Sequence, residues 1–146
     1  MSVGIMGFGT YTPETRMDAS EIAERSGIPE NVVREKFGVH SKPVPGPDDT
    51  TSAMAVAATR NAIEMAGIEP NEIDLVIYNG GQHKDYPNWL AGLKIAHEIG
   101  ATRAWSFDME AMCGSMMAGF EVARSLMESN GEYRTVVLAS GYRNGD

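Results

Sequence analysis

The sequence predicts an α/β fold built on a parallel sheet with right-handed crossovers. Short apolar runs at 73–78, 103–109 and 134–140 are bounded by Gly, Pro and Asn, as buried strands are. Between them lie stretches with apolar residues at helical spacing, near 50–67, 87–100 and from Cys113 onward. Strands that alternate with helices at this spacing are joined by crossovers, which makes neighbouring strands parallel.

Residues 3–9, Val-Gly-Ile-Met-Gly-Phe-Gly, read as a short buried strand that ends in glycines, followed by a Thr-Tyr-Thr-Pro turn. Their GxxGxG look does not make a dinucleotide site, because a helix should open directly after the glycines and Pro13 follows instead. Residues 18–25 and 29–37 form two short helices, the second with Pro29 and Glu30 in its first turn and Gly38 at its end. Residues 40–49, with Pro43, Pro45 and Pro47, are a loop with extended stretches.

A long helix starts at Thr50, capped by Thr50, Thr51 or Ser52. It carries Met54, Ala57, Ala58, Ala62, Ile63 and Met65 on one face and stops at Gly67. The strand at 73–78 follows, then a loop with His83, Lys84, Asp85, Tyr86 and Pro87. Pro87 or Asn88 opens the next helix, which holds Trp89, Leu90, Leu93, Ile95, Ala96 and Ile99 and closes at Gly100. After the strand at 103–109 the Cys113 helix runs to near Gly131, and the last strand, 134–140, leads into residues 141–146. With no tandem repeat, low-complexity tract or linker, residues 1–146 read as a single domain.

Composition narrows the function. The chain has 146 residues, 42% of them hydrophobic, enough for one packed core. A net charge of −8 repels phosphate backbones, so neither nucleic acid nor an anionic membrane is expected as a partner. The single cysteine forms no intrachain disulfide and completes no multi-cysteine zinc pattern; a reducing, cytoplasmic setting and no metal are expected. No apolar run approaches the ~20 residues that span a bilayer.

Ligands of parallel sheets gather at the C-terminal strand edge, so the loops at 79–86, around Cys113 and at 141–144 converge on one candidate site. A thiol where a strand passes into a helix faces unpaired N–H groups and a partial positive charge, which favour thiolate and stabilise an oxyanion. Buried and inert is the competing reading of a lone cysteine.

The segment 107–123, Phe-Asp-Met-Glu-Ala-Met-Cys-Gly-Ser-Met-Met-Ala-Gly-Phe-Glu-Val-Ala, resembles the nucleophile segment of the thiolase-fold condensing enzymes, and most closely of the β-ketoacyl-acyl-carrier-protein synthase III group. Residues 49–68 and 71–77 resemble that family's first long helix and following strand, and 87–100 its next helix. The resemblance covers nearly the whole chain. It implies a layered α-β-α half-fold with a mixed, mostly parallel sheet, of which this sequence supplies the N-terminal half.

It further implies an acyltransferase in fatty acid or polyketide biosynthesis, with Cys113 attacking an acyl-CoA or acyl-carrier-protein thioester and keeping the acyl group. A CoA thioester is then substrate, and no metal or redox cofactor is needed. The family draws its second oxyanion donor and its His and Asn from the later half. A C-terminal half or partner chain is therefore expected to complete an oligomer, and this chain alone is expected to be inactive.

Departures qualify the match. Hydroxymethylglutaryl-CoA synthases use a Glu base upstream of the nucleophile, where this chain reads Asn79-Gly-Gly-Gln-His83; that activity stays a minor alternative. Near the family's CoA entrance the chain reads 34–39, Arg-Glu-Lys-Phe-Gly-Val, so Arg34 and Lys36 are candidates for CoA phosphates, against ordinary helix-surface charge. His83 is a candidate base for a cysteine thioesterase, against a solvated loop histidine, while His40 and His97 have weaker claims. A non-catalytic partner subunit is the remaining reading. Trp89 and Trp105 are expected as core or interface anchors, and Met109, Met112, Met116 and Met117 as core filling around Cys113. Glu110 would oppose a thiolate if it pointed inward.

Overall fold

The structure is a computed structural model that describes residues 2–80, 85–129 and 131–143. The chain divides into two compact units, one made by residues 2–11 with 50–143 and the other by residues 12–49.

The larger unit is a three-layer α/β sandwich. Its sheet holds β3 (Leu75–Asn79) between β4 (Trp105–Met109) and β5 (Val136–Ala139), both parallel to it, with Leu75 opposite Trp105 on one side and Val136 on the other. All five residues of β3 are buried, as a central strand covered on both faces requires. Helices α2 (Thr51–Ala66) and α3 (Ala91–Ile99) cover one face: Ala55, Val56, Ile95, Ala96 and Ile99 pack on Val76 and Tyr78. Helix α4 (Ser115–Ser129) covers the other, with Ala123, Val122 and Leu126 packed with Leu75, Ile77, Phe107 and Leu138. Asp74, at the strands' N-terminal ends, accepts the N–H groups of Arg134 (2.8 Å) and Thr135 (3.0 Å) and so sets the start of β5.

Helix ends follow local chemistry where the sequence supplies it. Thr50 caps α2 by accepting the Ala53 N–H at 3.2 Å, and Gly67 ends it at φ +64°. Helix α3 departs from expectation. Asn88 adopts φ +58°, outside the helical region, so neither Pro87 nor Asn88 opens the helix; it begins at Ala91.

Residues 3–9 do not form the expected buried strand. They pair with no strand among the described residues, and Ile5, Met6 and Phe8 stay exposed. A strand needs a hydrogen-bonded neighbour, and this segment instead rests on α2. The Asn61 side-chain amide donates to Thr10 O (2.9 Å), the Phe8 N–H meets the Met65 sulfur (3.4 Å), and a Cβ on Gly9 would overlap the Ala58 carbonyl.

In the smaller unit β1 (Arg16–Asp18) pairs antiparallel with β2 (Ser41–Pro43), so part of the proline-rich loop is strand. Asp18 caps α1 (Ala19–Ser26), accepting from Glu21 N at 2.9 Å and from Ser20 Oγ at 2.6 Å, and these bonds hold its carboxyl below the usual carboxylate range. The expected second helix is short: the Val32 and Val33 N–H groups bond to Pro29 O, the winding is π-helical over Val32–Lys36, and Val33 is its buried residue. Among the described residues the antiparallel pairing is confined to this unit, and the three-stranded sheet is wholly parallel.

Candidate active site

The C-terminal ends of β3, β4 and β5 meet at one edge of the sheet. Tyr78 on β3 is fully buried and donates its hydroxyl to Gly141 O, just past β5, at 3.2 Å. Burial pushes the Tyr78 hydroxyl up to about 12. Next along β3, buried Asn79 donates from Nδ2 to Ile77 O (3.0 Å), and its Oδ1 faces Gly119 of α4 so closely that a Cβ there would overlap it. Glycine at 119 thus lets the N-terminal half of α4 settle on the end of β3.

Three helix N-termini point to this edge, and two of them are occupied by carboxylates from other segments. Asp85, in the loop after β3, accepts the N–H of Ser52 (3.2 Å) and its hydroxyl at the start of α2. Asp108 on β4 accepts the N–H groups of Ala91 (2.9 Å) and Gly92 (2.8 Å) at the start of α3. The first turn of α4 holds no acidic residue. Cys113 stands at its positive end.

Cys113 is exposed, in a 3-10 turn (Met112–Gly114) that leads directly into α4. The inert-core reading of this cysteine needs burial, which it lacks. Met112 just before it has φ +51°, a strained conformation for a residue with a long side chain. Among the described residues the Cys113 N–H has no hydrogen-bond partner. The buried Ser115 hydroxyl accepts the Ala111 N–H (2.8 Å), lies 2.8 Å from Met112 O and 3.4 Å from Gly80 O, and so links the turn to the end of β3.

Other expectations fare unevenly. Arg34 is ion-paired with Glu30 (2.6 Å) across one helical turn, and Lys36 is exposed; both lie in the smaller unit. His83 lies outside the described residues, as do Gly81, Gln82, Lys84 and Asn144. Met109 packs in the core with Phe107, but Met112 (53% exposed) and Met117 (70%) do not fill it, because they sit on the outer side of the turn and of α4. Trp89 packs partly buried against the core, its ring edge-on to Tyr86, whereas Trp105 on β4 is exposed, its ring stacked on Tyr133. Glu110 and His97 are exposed. Among the described residues no three His, Cys, Asp or Glu side chains gather as metal ligands, and no helix is long and apolar enough to cross a membrane.

Sequence reading missed the roles of Asp85, Asp108 and Ser115. The sequence carried no signal for the Asp108 cap, because it shows only once α3 starts at Ala91 with Leu90 as an N-cap that has no side-chain acceptor.

No protein-family model matches the chain. A β-ketoacyl-acyl-carrier-protein synthase III of Streptomyces lividans is 32% identical over 136 residues, covering 93% of this chain and 40% of the relative. The solved priming β-ketosynthase of the R1128 polyketide biosynthetic pathway superposes with a TM-score of 0.82 at 33% identity, over 92% of this chain and 40% of that one. The chain is a homologue of the thiolase-fold condensing enzymes. A hydroxymethylglutaryl-CoA synthase of Archaeoglobus fulgidus, 31% identical over 128 residues, matches 87% of this condensing-enzyme homologue and 37% of its own length. The chain spans about 40% of the length of these curated relatives and corresponds to their N-terminal half.

Proposed function

We propose that this chain carries the acyl-accepting half of a condensing enzyme, with Cys113 as the nucleophile. The observation that carries the reading is the placement of an exposed Cys113, whose backbone N–H has no hydrogen-bond partner among the described residues, in the turn that opens α4 at this sheet edge. Cys113 Sγ, as thiolate, attacks the carbonyl carbon of an acyl-CoA or acyl-carrier-protein thioester. The new C–Sγ bond forms, the old C–S bond breaks, and the departing thiolate takes up the proton that Cys113 gave up. The Cys113 N–H supplies one donor to the tetrahedral oxyanion.

A CoA thioester serves as substrate, and neither metal nor redox cofactor enters the step. A C-terminal half, on the same or another polypeptide, completes the active oligomer and supplies the remaining donors, so this chain alone does not turn over. A reducing, cytoplasmic setting suits its unpaired thiol. Arg34 and Lys36 remain candidates for the CoA phosphates, with the Glu30 pairing of Arg34 weighing toward Lys36.

Incubation with acetyl-CoA and longer acyl-CoAs, followed by peptide mass spectrometry, tests the reading. An acyl mass on Cys113, lost in Cys113→Ala, is expected. No adduct, even with the C-terminal half present, refutes it and leaves the non-catalytic partner subunit. Identity to hydroxymethylglutaryl-CoA synthases favours a second reading, in which the acyl-enzyme condenses with acetoacetyl-CoA; formation of hydroxymethylglutaryl-CoA, with loss of the acetyl mass from Cys113, on adding that acceptor to acetylated protein decides it.

A further inference from the structure

We infer that Ser115 is a positioning residue for Cys113, holding the strained Met112 turn in the shape that presents the Cys113 N–H and thiol together. The inference rests on the proposed acyl transfer to Cys113. Residues 111–115 close into a ring of short bonds. Gly114 N donates to Ala111 O (3.0 Å) and Ser115 N to Met112 O. The Ser115 hydroxyl adds what the backbone cannot: it accepts the Ala111 N–H and donates to the Met112 carbonyl, each at 2.8 Å, so it grips the turn on both sides of Met112.

Met112 needs that grip. Its φ of +51° is unfavourable for a residue with a Cβ, and its side chain is 53% exposed, so packing does little to hold it. Without the hydroxyl, Ala111 N and Met112 O lose a shared partner and Met112 is free to relax toward negative φ. That rotation swings the next peptide, whose N–H is the oxyanion donor of Cys113. Ser115 itself is 3% exposed and its hydroxyl lies 3.4 Å from Gly80 O, so burial holds it where the turn meets the end of β3. Its role is to align Cys113, and it does not touch substrate.

The test compares two reactions of the same sulfur in the full chain. Thioester formation from acetyl-CoA needs the oxyanion donor aligned; alkylation by iodoacetamide does not. In Ser115→Ala the rate of acetyl transfer to Cys113 is expected to fall roughly tenfold or more, with alkylation within about twofold of wild type. In Met112→Gly/Ser115→Ala acetylation is expected to recover by about threefold or more over Ser115→Ala, because glycine adopts a positive φ without the steric cost that a Cβ imposes. Unchanged acetylation in Ser115→Ala, a parallel loss of acetylation and alkylation, or no recovery in the double variant overturns the positioning role while the acyl-transfer reading stands. A wild-type chain that is alkylated but never acetylated, with the C-terminal half present, removes that reading and this role with it.

Discussion

Asp108, near the end of β4, holds the backbone N–H of Gly92 at 2.8 Å and that of Ala91 at 2.9 Å. One carboxylate thus caps a helix that has no cap of its own and joins α3 to the strand that leads into the Cys113 turn. Asp108→Ala leaves both N–H groups without that acceptor and is expected to destabilise the chain by about 1–3 kcal/mol. Urea unfolding followed by circular dichroism measures it; a loss below about 0.5 kcal/mol would show that water replaces the carboxylate without cost.

Gly119 and Asn79 share one space. A Cβ at 119 would overlap Asn79 Oδ1, so Gly119→Ala forces α4 off the sheet or Asn79 out of its rotamer, at about 1–3 kcal/mol. Asn79→Ala removes the obstructing amide. In a double-mutant cycle the pair is expected to cost less than the sum of the single changes by about 1 kcal/mol or more, and strict additivity would contradict the packing.

Tyr78 makes stability depend on alkaline pH. Its hydroxyl titrates near 12 in the folded chain, mainly because it is buried, and near 10 when unfolded. Between those values the unfolded chain has lost the proton and the folded chain keeps it. The contribution is therefore whole below pH 10 and is lost as pH rises toward about 12, by about 2–3 kcal/mol. Tyr78→Phe costs about 1 kcal/mol at neutral pH through the lost bond to Gly141 O, and its stability falls less steeply over that window. Parallel slopes for the two proteins would contradict the assignment.

Gly9→Ala sets a methyl against the Ala58 carbonyl. The N-terminal segment is expected to lift from α2 while the sheet stays intact, so limited proteolysis should cut within residues 2–11 faster than in wild type by about tenfold. Unchanged cleavage would mean that the segment is not held there.

The reach of the sequence followed how local each determinant is. Helix α2 was legible from Thr50 to Gly67 because cap, apolar face and terminating glycine are all contained in it. Strand β3 was legible because a strand buried on both faces needs a continuous apolar run. Two determinants are not local. Residues 3–9 are a short apolar run that ends in glycines, as a buried strand does, but pairing depends on a neighbour that the run does not contain. Helix α3 takes its cap from Asp108, sixteen and seventeen residues downstream of the amides it binds, so its start was misplaced onto Pro87 and Asn88. At the site, the position of Cys113 ahead of a helix was readable, while the brace by Ser115 depended on the turn geometry that φ at Met112 creates.

The docking of the N-terminal segment on α2 also orders events in time. Phe8 and Thr10 find their partners on Met65 and Asn61, 57 and 51 positions along the chain, and gain few contacts for the long loop they close. Such contacts reward a chain only once their platform exists, so α2 and the sheet assemble first and the segment of Phe8 and Thr10 settles last. Pulse-labelled hydrogen exchange during refolding reads this directly: the amide of Val76 becomes protected in the main phase and that of Phe8 after it.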